Sequence, residues 1–143
     1  ALMSSPRTVG QEHQSRKVLS SSILACGAVA GPAALGVILL RDQIMGSYGA
    51  AFAGRGRVLT FAVLSAALLA VQSPMGNAIA AYGRMWAGAL LNFGWALSLL
   101  AATWCLVGRT WGADGLACAH LVAYAMHGLW TTWYVARLVR RHA

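Results

Sequence analysis

Acidic residues are scarce in this chain. Its 143 residues include 3 Asp+Glu against 11 Lys+Arg, and charged residues of both signs make up only 10%. A soluble domain carries about 25% charged residues, so there is too little charge here to coat a water-facing surface. Cysteine is also sparse. Cys26, Cys105 and Cys118 are odd in number and lack a Cys-x-x-Cys spacing, which gives no disulfide framework and no zinc knuckle; each reads as a small apolar side chain. An apolar leader is missing from residues 1–17, which are polar and contain Pro6, so no signal peptide is expected there. Acids for catalysis are missing too. Glu12, Asp42 and Asp114 fall in the polar segment or in loops, and no nucleophile–base–acid set or phosphate-binding glycine loop can be assembled. An enzyme is not expected, and neither is a cofactor.

Apolar residues are abundant, at 59%. They gather in segments of about 18–40, 58–81, 85–107 and 115–136, each long enough to cross a bilayer, which takes about 20 helical residues. The formal net charge of +8 would suit nucleic acid if it formed a stripe. The basic residues sit instead in the gaps between apolar segments, so a nucleic-acid partner is not expected. A surface helix shows a polar face every 3.6 residues; the first and third segments show almost none. Backbone groups in lipid must be satisfied internally, and no alternating barrel pattern is present, so helices follow. The expected fold is an all-α membrane protein of four transmembrane helices. A cytoplasmic polar segment (1–17) precedes the membrane region (18–137), and a basic tail (138–143) follows it. Membrane lipid is the expected surrounding partner.

The boundaries have local causes. Arg41-Asp42 ends the first helix, and Gly46, Gly49, Gly54 and Gly56 loosen the following loop. Tyr82-Gly83-Arg84 reads as a tight turn that makes the second and third helices an antiparallel hairpin. Asp114 is placed to accept backbone N–H groups as the N-cap of the fourth helix. Tyr82, Trp86, Trp104, Trp111, Trp130, Trp133 and Tyr134 fall near segment ends, as an aromatic belt does at headgroup depth. Trp95 lies mid-span and is expected to pack on another helix. Four crossings place both ends on one side, which then holds Arg7, Arg16, Lys17, Arg84, Arg137, Arg140 and Arg141, against Arg41, Arg55, Arg57 and Arg109 on the other. The positive-inside rule puts both termini in the cytoplasm.

A few residues depart from the apolar background. Gly27 and Gly31 form a GxxxG spacing that lets two helix backbones approach, expected here to serve packing within the chain. Gln72, Ser73 and Asn77 surround Pro74 and form the densest polar patch within a span. Polar groups at that depth need partners or water, and a proline removes a backbone bond, so Pro74 is a hinge candidate as well as a static kink. Asn92 is expected to bond to the preceding helix. His120, Tyr124 and His127 share one helical face; a hydrogen-bonded helix interface is the default, with a proton-relay or substrate-facing role beside it. Two histidines seven apart cannot hold one metal ion without further ligands, so no metal site is expected.

Taken in order, these features resemble the C-terminal helices of oligosaccharide flippases in the multidrug/oligosaccharidyl-lipid/polysaccharide exporter superfamily. The resemblance runs over about residues 15–141. It comprises the charged lead into the first helix, the step Ile44-Met-Gly-Ser-Tyr-Gly-Ala-Ala-Phe52, the stretch Met75-Gly-Asn-Ala-Ile-Ala-Ala-Tyr-Gly83, the stretch Leu91-Asn-Phe-Gly-Trp95 and the turn Gly112-Ala-Asp-Gly-Leu-Ala117. It implies part of one lobe of a twelve-to-fourteen-helix exporter in a bacterial inner membrane, partnered by its own N-terminal helices. The implied activity is translocation of lipid-linked oligosaccharide for surface polysaccharide synthesis by alternating access. Gln72, Asn77, His120, Tyr124 and His127 are then candidates for the substrate path. The basic residues that would hold a substrate pyrophosphate have no counterpart within these spans. A small autonomous four-helix transporter and a non-transporting structural membrane subunit are the alternatives.

Overall fold

The computed structural model describes residues 9–107 and 111–141, with side chains over 16–107 and 111–140. The described residues are helical, with no strand. In chain order the helices are α1 (Val9–Leu39), α2 (Arg41–Ser47), α3 (Gly56–Ala81), α4 (Met85–Leu106) and α5 (Gly112–Arg141). Three are long and apolar enough to cross a membrane: α1 over Arg16–Leu39, α3 over Gly56–Ala81 and α4 over Met85–Leu106. They keep little of that surface to themselves. Leu24 and Val29 on α1, and Leu90, Trp86 and Trp104 on α4, are each at least 70% exposed, and α4 has no buried residue at all. Apolar faces this extensive are rare on water-facing surfaces and ordinary in lipid.

The helix α5 spans 30 residues but is not among the three apolar enough to cross. His120, Tyr124, His127, Thr131 and Thr132 dilute its apolar content. It is nevertheless one of two inner helices: it packs along both α3 and α4, and α3 in turn carries α1 on its other flank. The inner position permits the polar content. A helix flanked by protein can keep polar groups where neighbours satisfy them, and a helix facing lipid cannot.

Several sequence expectations change here. Residues 9–17, expected to belong to a polar segment, continue α1 as helix, while residues 1–8 lie outside the described ones. The first helix ends at Leu39, and Arg41–Ser47 forms a short helix of its own. A real loop begins only where Gly49 and Gly54 take φ of 110° and 80°, values that favour glycine. The helix expected over 115–136 starts three residues earlier and runs through the expected basic tail to Arg141. Asp114 is therefore in its first turn and is not its N-cap. The carboxylate is engaged by Arg57 across the interface at 3.2 Å.

The turn at 82–84 is as expected. Gly83 sits at φ 70°, Gly83 N–H donates to Ala80 O at 2.9 Å, and Arg84 N–H donates to Ile79 O at 3.0 Å. This is a Schellman C-cap, which satisfies the last carbonyls of α3. The hairpin packing is different. Away from the turn α3 and α4 splay apart, and α5 fills the space between them. Small residues decide this placement. Gly94 on α4 gives room to Trp130, whose ring would lie 3.3 Å from a Cβ added there, and Gly128 on α5 gives room to Gln72.

At one end of the molecule, Met75 and Ile79 of α3 pack with Val135 of α5, and Leu19, Ile23, Ala87 and Leu91 close around them. Arg16 donates to Val139 O at 3.3 Å. The start of α1, the end of α3, the start of α4 and the end of α5 therefore lie at one level. The opposite end holds α2, Arg57 with Asp114, and an Arg41–Asp42 pair at 3.5 Å.

Candidate functional site

Polar side chains meet where α3 crosses the middle of α5. Gln72 is buried at 7% exposure. Its Nε2 donates to Tyr124 O at 2.9 Å, and its Oε1 lies 2.8 Å from His127 Nδ1. These two contacts assign each other. A carbonyl only accepts, so the amide nitrogen must face Tyr124, and the amide oxygen must then accept from His127. His127 therefore carries its proton on Nδ1, which leaves Nε2 as an acceptor facing the Thr131 hydroxyl in a long contact of 3.4 Å. Thr131 is itself 2% exposed. One turn along, the Thr132 hydroxyl donates to Met75 Sδ at 3.5 Å.

Gly128 makes the arrangement possible. A Cβ there would stand 2.6 Å from Gln72 Nε2, closer than real side-chain atoms approach. The tight seat brings the amide onto the α5 backbone. Deeper along the same face an aromatic cluster takes over. Trp95 of α4 lies 5.8 Å from the His120 ring and 5.3 Å from the Tyr124 ring, and His120 and Tyr124 are 5.4 Å apart. Such spacings suit edge and tilted ring pairs. Trp95 thus packs on another helix, as its mid-span position predicts. The indole N–H groups of Trp95 and Trp130 are buried without a partner.

An open groove of ≈ 990 Å³ runs between α3 and α5, with Leu68, Val71 and Met75 on one wall and Gln72 set into it at mid-depth. Toward the end shared by α1 and α4, its α5 wall carries Thr132, Trp133, Arg137 and Arg140. The Arg137 guanidinium lies over the Trp133 ring, 3.9 Å from its centroid.

The sequence-derived candidates separate accordingly. Gln72, Tyr124 and His127 come together, and His120 joins through Tyr124 and Trp95. Asn77 does not; it is exposed, as is Ser73, because one residue turns a helical side chain about 100° and five turn it about 140° away from Gln72. The polar patch around Pro74 is thus a sequence cluster that the helix distributes over different faces. Pro74 lies inside an unbroken α3. Gly27 faces α3, with Val71 Cγ2 3.9 Å from a Cβ added there, whereas nothing lies that close to Gly31; half of the GxxxG pair serves packing within the chain. Asn92 is exposed, and no hydrogen bond to α3 holds it, contrary to expectation. Sequence reasoning passed over Thr131, Gly128 and Arg137. The i, i+4 spacing of His127 to Thr131 and of Trp133 to Arg137 was the available signal.

No protein-family model, curated protein or solved structure matches this chain.

Proposed function

We propose that the chain is the C-terminal portion of a membrane exporter that moves lipid-linked oligosaccharide across a bacterial inner membrane by alternating access, with α5 as a fourth crossing helix. The physical need is a wet, polar route for a sugar head. Each hydroxyl taken into hydrocarbon without a partner costs several kcal/mol, while the lipid tail can stay in the bilayer. The observation that carries the reading is Gln72, a buried amide in the wall of an open groove at mid-span, backed by His127 and Tyr124 of the facing helix. The exposed apolar faces of α1 and α4 suit lipid or the further helices of such an exporter. The order of motifs along the chain supports the same family.

The test is export in cells. In the full reading frame, Gln72→Leu is expected to reduce surface polysaccharide at least tenfold at equal membrane expression, and Asn77→Leu to leave it within twofold. Equal export by Gln72→Leu would remove the amide from the path.

A second reading is favoured by one specific observation. Gln72, His127 and Thr131 satisfy one another within the chain, as they would in a non-transporting structural subunit. In that case Gln72→Leu would lower stability without any effect on export beyond lost protein.

A further inference from the structure

We propose that the α3–α5 groove holds a phospholipid of the surrounding bilayer, an anionic one, with its phosphate on Arg137 and Arg140 and one acyl chain along Leu68, Val71, Met75 and Leu129. The inference rests on α5 crossing the bilayer, which is part of the reading above.

The groove is two-ended in chemistry. Its basic end carries Arg137 and Arg140, and its other end is apolar. Ion pairs among the described residues are Arg41–Asp42 and Arg57–Asp114, both at the opposite end of the molecule, so among the described side chains neither groove arginine is paired with a carboxylate. Arg137 is held over Trp133 by a cation–π contact, which orients the guanidinium and leaves its N–H fork free. A guanidinium fork matches a phosphate in a bidentate manner.

The depth fits as well. Arg16 bonds to Val139 O and Arg84 precedes α4, so cations of three helices mark this level as the headgroup boundary. From Arg137 to Ala125, the far groove residue on α5, the helix rises roughly 18 Å at 1.5 Å per residue. One leaflet of hydrocarbon is about 15 Å, half of a 30 Å core. The groove therefore has the length of one acyl chain below one headgroup. Soluble anions would not use the apolar part, and a neutral headgroup would leave both arginines without charge complement.

The test is lipid retention by the purified full chain in detergent, read by native mass spectrometry after titration with phosphatidylglycerol or with phosphatidylcholine of the same acyl chains. Phosphatidylglycerol is expected to bind first and more tightly. Arg140→Gln and Arg137→Gln should each weaken it roughly fivefold, the worth of one arginine near an anionic lipid surface. Ala136→Leu, which narrows the groove and keeps both arginines, should weaken it by a similar factor. Arg84→Gln, at the same level and outside the groove, should leave it unchanged. Arg140 is exposed, so its variant keeps the experiment informative if Arg137→Gln fails to fold. Equal binding of the two lipids would overturn the proposal. So would an Arg84→Gln effect equal to that of Arg140→Gln, or indifference to Ala136→Leu. A lipid-free dimer that Ala136→Leu converts to monomer would assign the groove to a second copy of the chain and overturn it too. Whether α5 crosses is measured separately by thiol accessibility, so failure of that reading and failure of lipid binding are distinguishable.

Discussion

The contact between Gln72 and Gly128 shows how much rests on a missing side chain. Interhelical hydrogen bonds in membranes are worth about 0.6 kcal/mol on average and up to about 1.7, and Gln72 makes two such contacts, at 2.9 and 2.8 Å. Gly128→Ala displaces the amide, because the new Cβ would lie 2.6 Å from Nε2. Losing both contacts costs about 1–3 kcal/mol, which the gain in helix propensity partly offsets, so a net loss of up to about 2 kcal/mol is expected, measured by unfolding in mixed micelles. The substitution also raises helix propensity by nearly 1 kcal/mol relative to glycine. In a Gln72→Ala background only that gain remains, so Gly128→Ala should there be neutral or stabilising. Additive losses in the double variant would mean that the two residues do not interact. These residues also mark how far the sequence could be read. His127 and Gln72 stood out as polar groups in apolar surroundings, but their pairing was not legible, since 55 residues separate them and no local rule links their faces. Asn77 looked equivalent to Gln72 in the sequence. It differs in angle about the helix axis and by roughly 7.5 Å of rise, and both matter only once the position of α5 is known.

Among elements, the turn and the outward-facing helix give the clearest expectations. Gly83 holds φ 70° in the α3–α4 turn. A side chain there pays the left-handed penalty of about 1–2 kcal/mol, so Gly83→Ala should destabilise by that amount, read as a lower midpoint of thermal unfolding in detergent. No change would mean that the turn relaxes freely. Leu97 lies near the middle of α4 and is 52% exposed. If that face meets hydrocarbon, Leu97→Arg should make insertion of α4 less favourable by about 3 kcal/mol, measured as the inserted fraction of a glycosylation-tagged segment. Full insertion of the variant would show that this face meets water or protein. The apolar segments of α1, α3 and α4 and the turn position were readable because both depend on local chemistry, namely apolar length and a glycine before an arginine; the short α2 was not expected, and α5 is less apolar than a crossing helix was expected to be. Helix ends were less so. The N-terminal residues 9–17 continue α1 because a helix already started carries polar residues at little cost, and Asp114 fell inside α5 because the helix begins at Gly112, ahead of the expected cap.

For the whole molecule, the question is which ends share a side. Arg16, Lys17, Arg84, Arg137 and Arg140 gather at one end, and Arg41, Arg55 and Arg57 at the other. In a variant without Cys26, Cys105 and Cys118, single cysteines at Arg84 and Arg140 should react with a membrane-impermeant thiol reagent from the same side, the cytoplasmic one. A cysteine at Arg55 should react only from the opposite side. Reaction of the 84 and 140 positions from different sides would show that α5 does not cross.

The sequence by itself determined what this chain is built from. Long uncharged segments suit hydrocarbon, where backbone groups must be satisfied within helices, a demand met locally along each helix. The tertiary structure decided the rest: that α5 lies between α3 and α4, that it can therefore be the most polar of the long helices, that Gln72 is inside and Asn77 outside, and that two arginines end a groove. In lipid, apolar faces are nearly interchangeable as partners, so the choice among them falls to small residues that admit a neighbour and to polar groups that need one. Those matches exist only between segments distant in the chain.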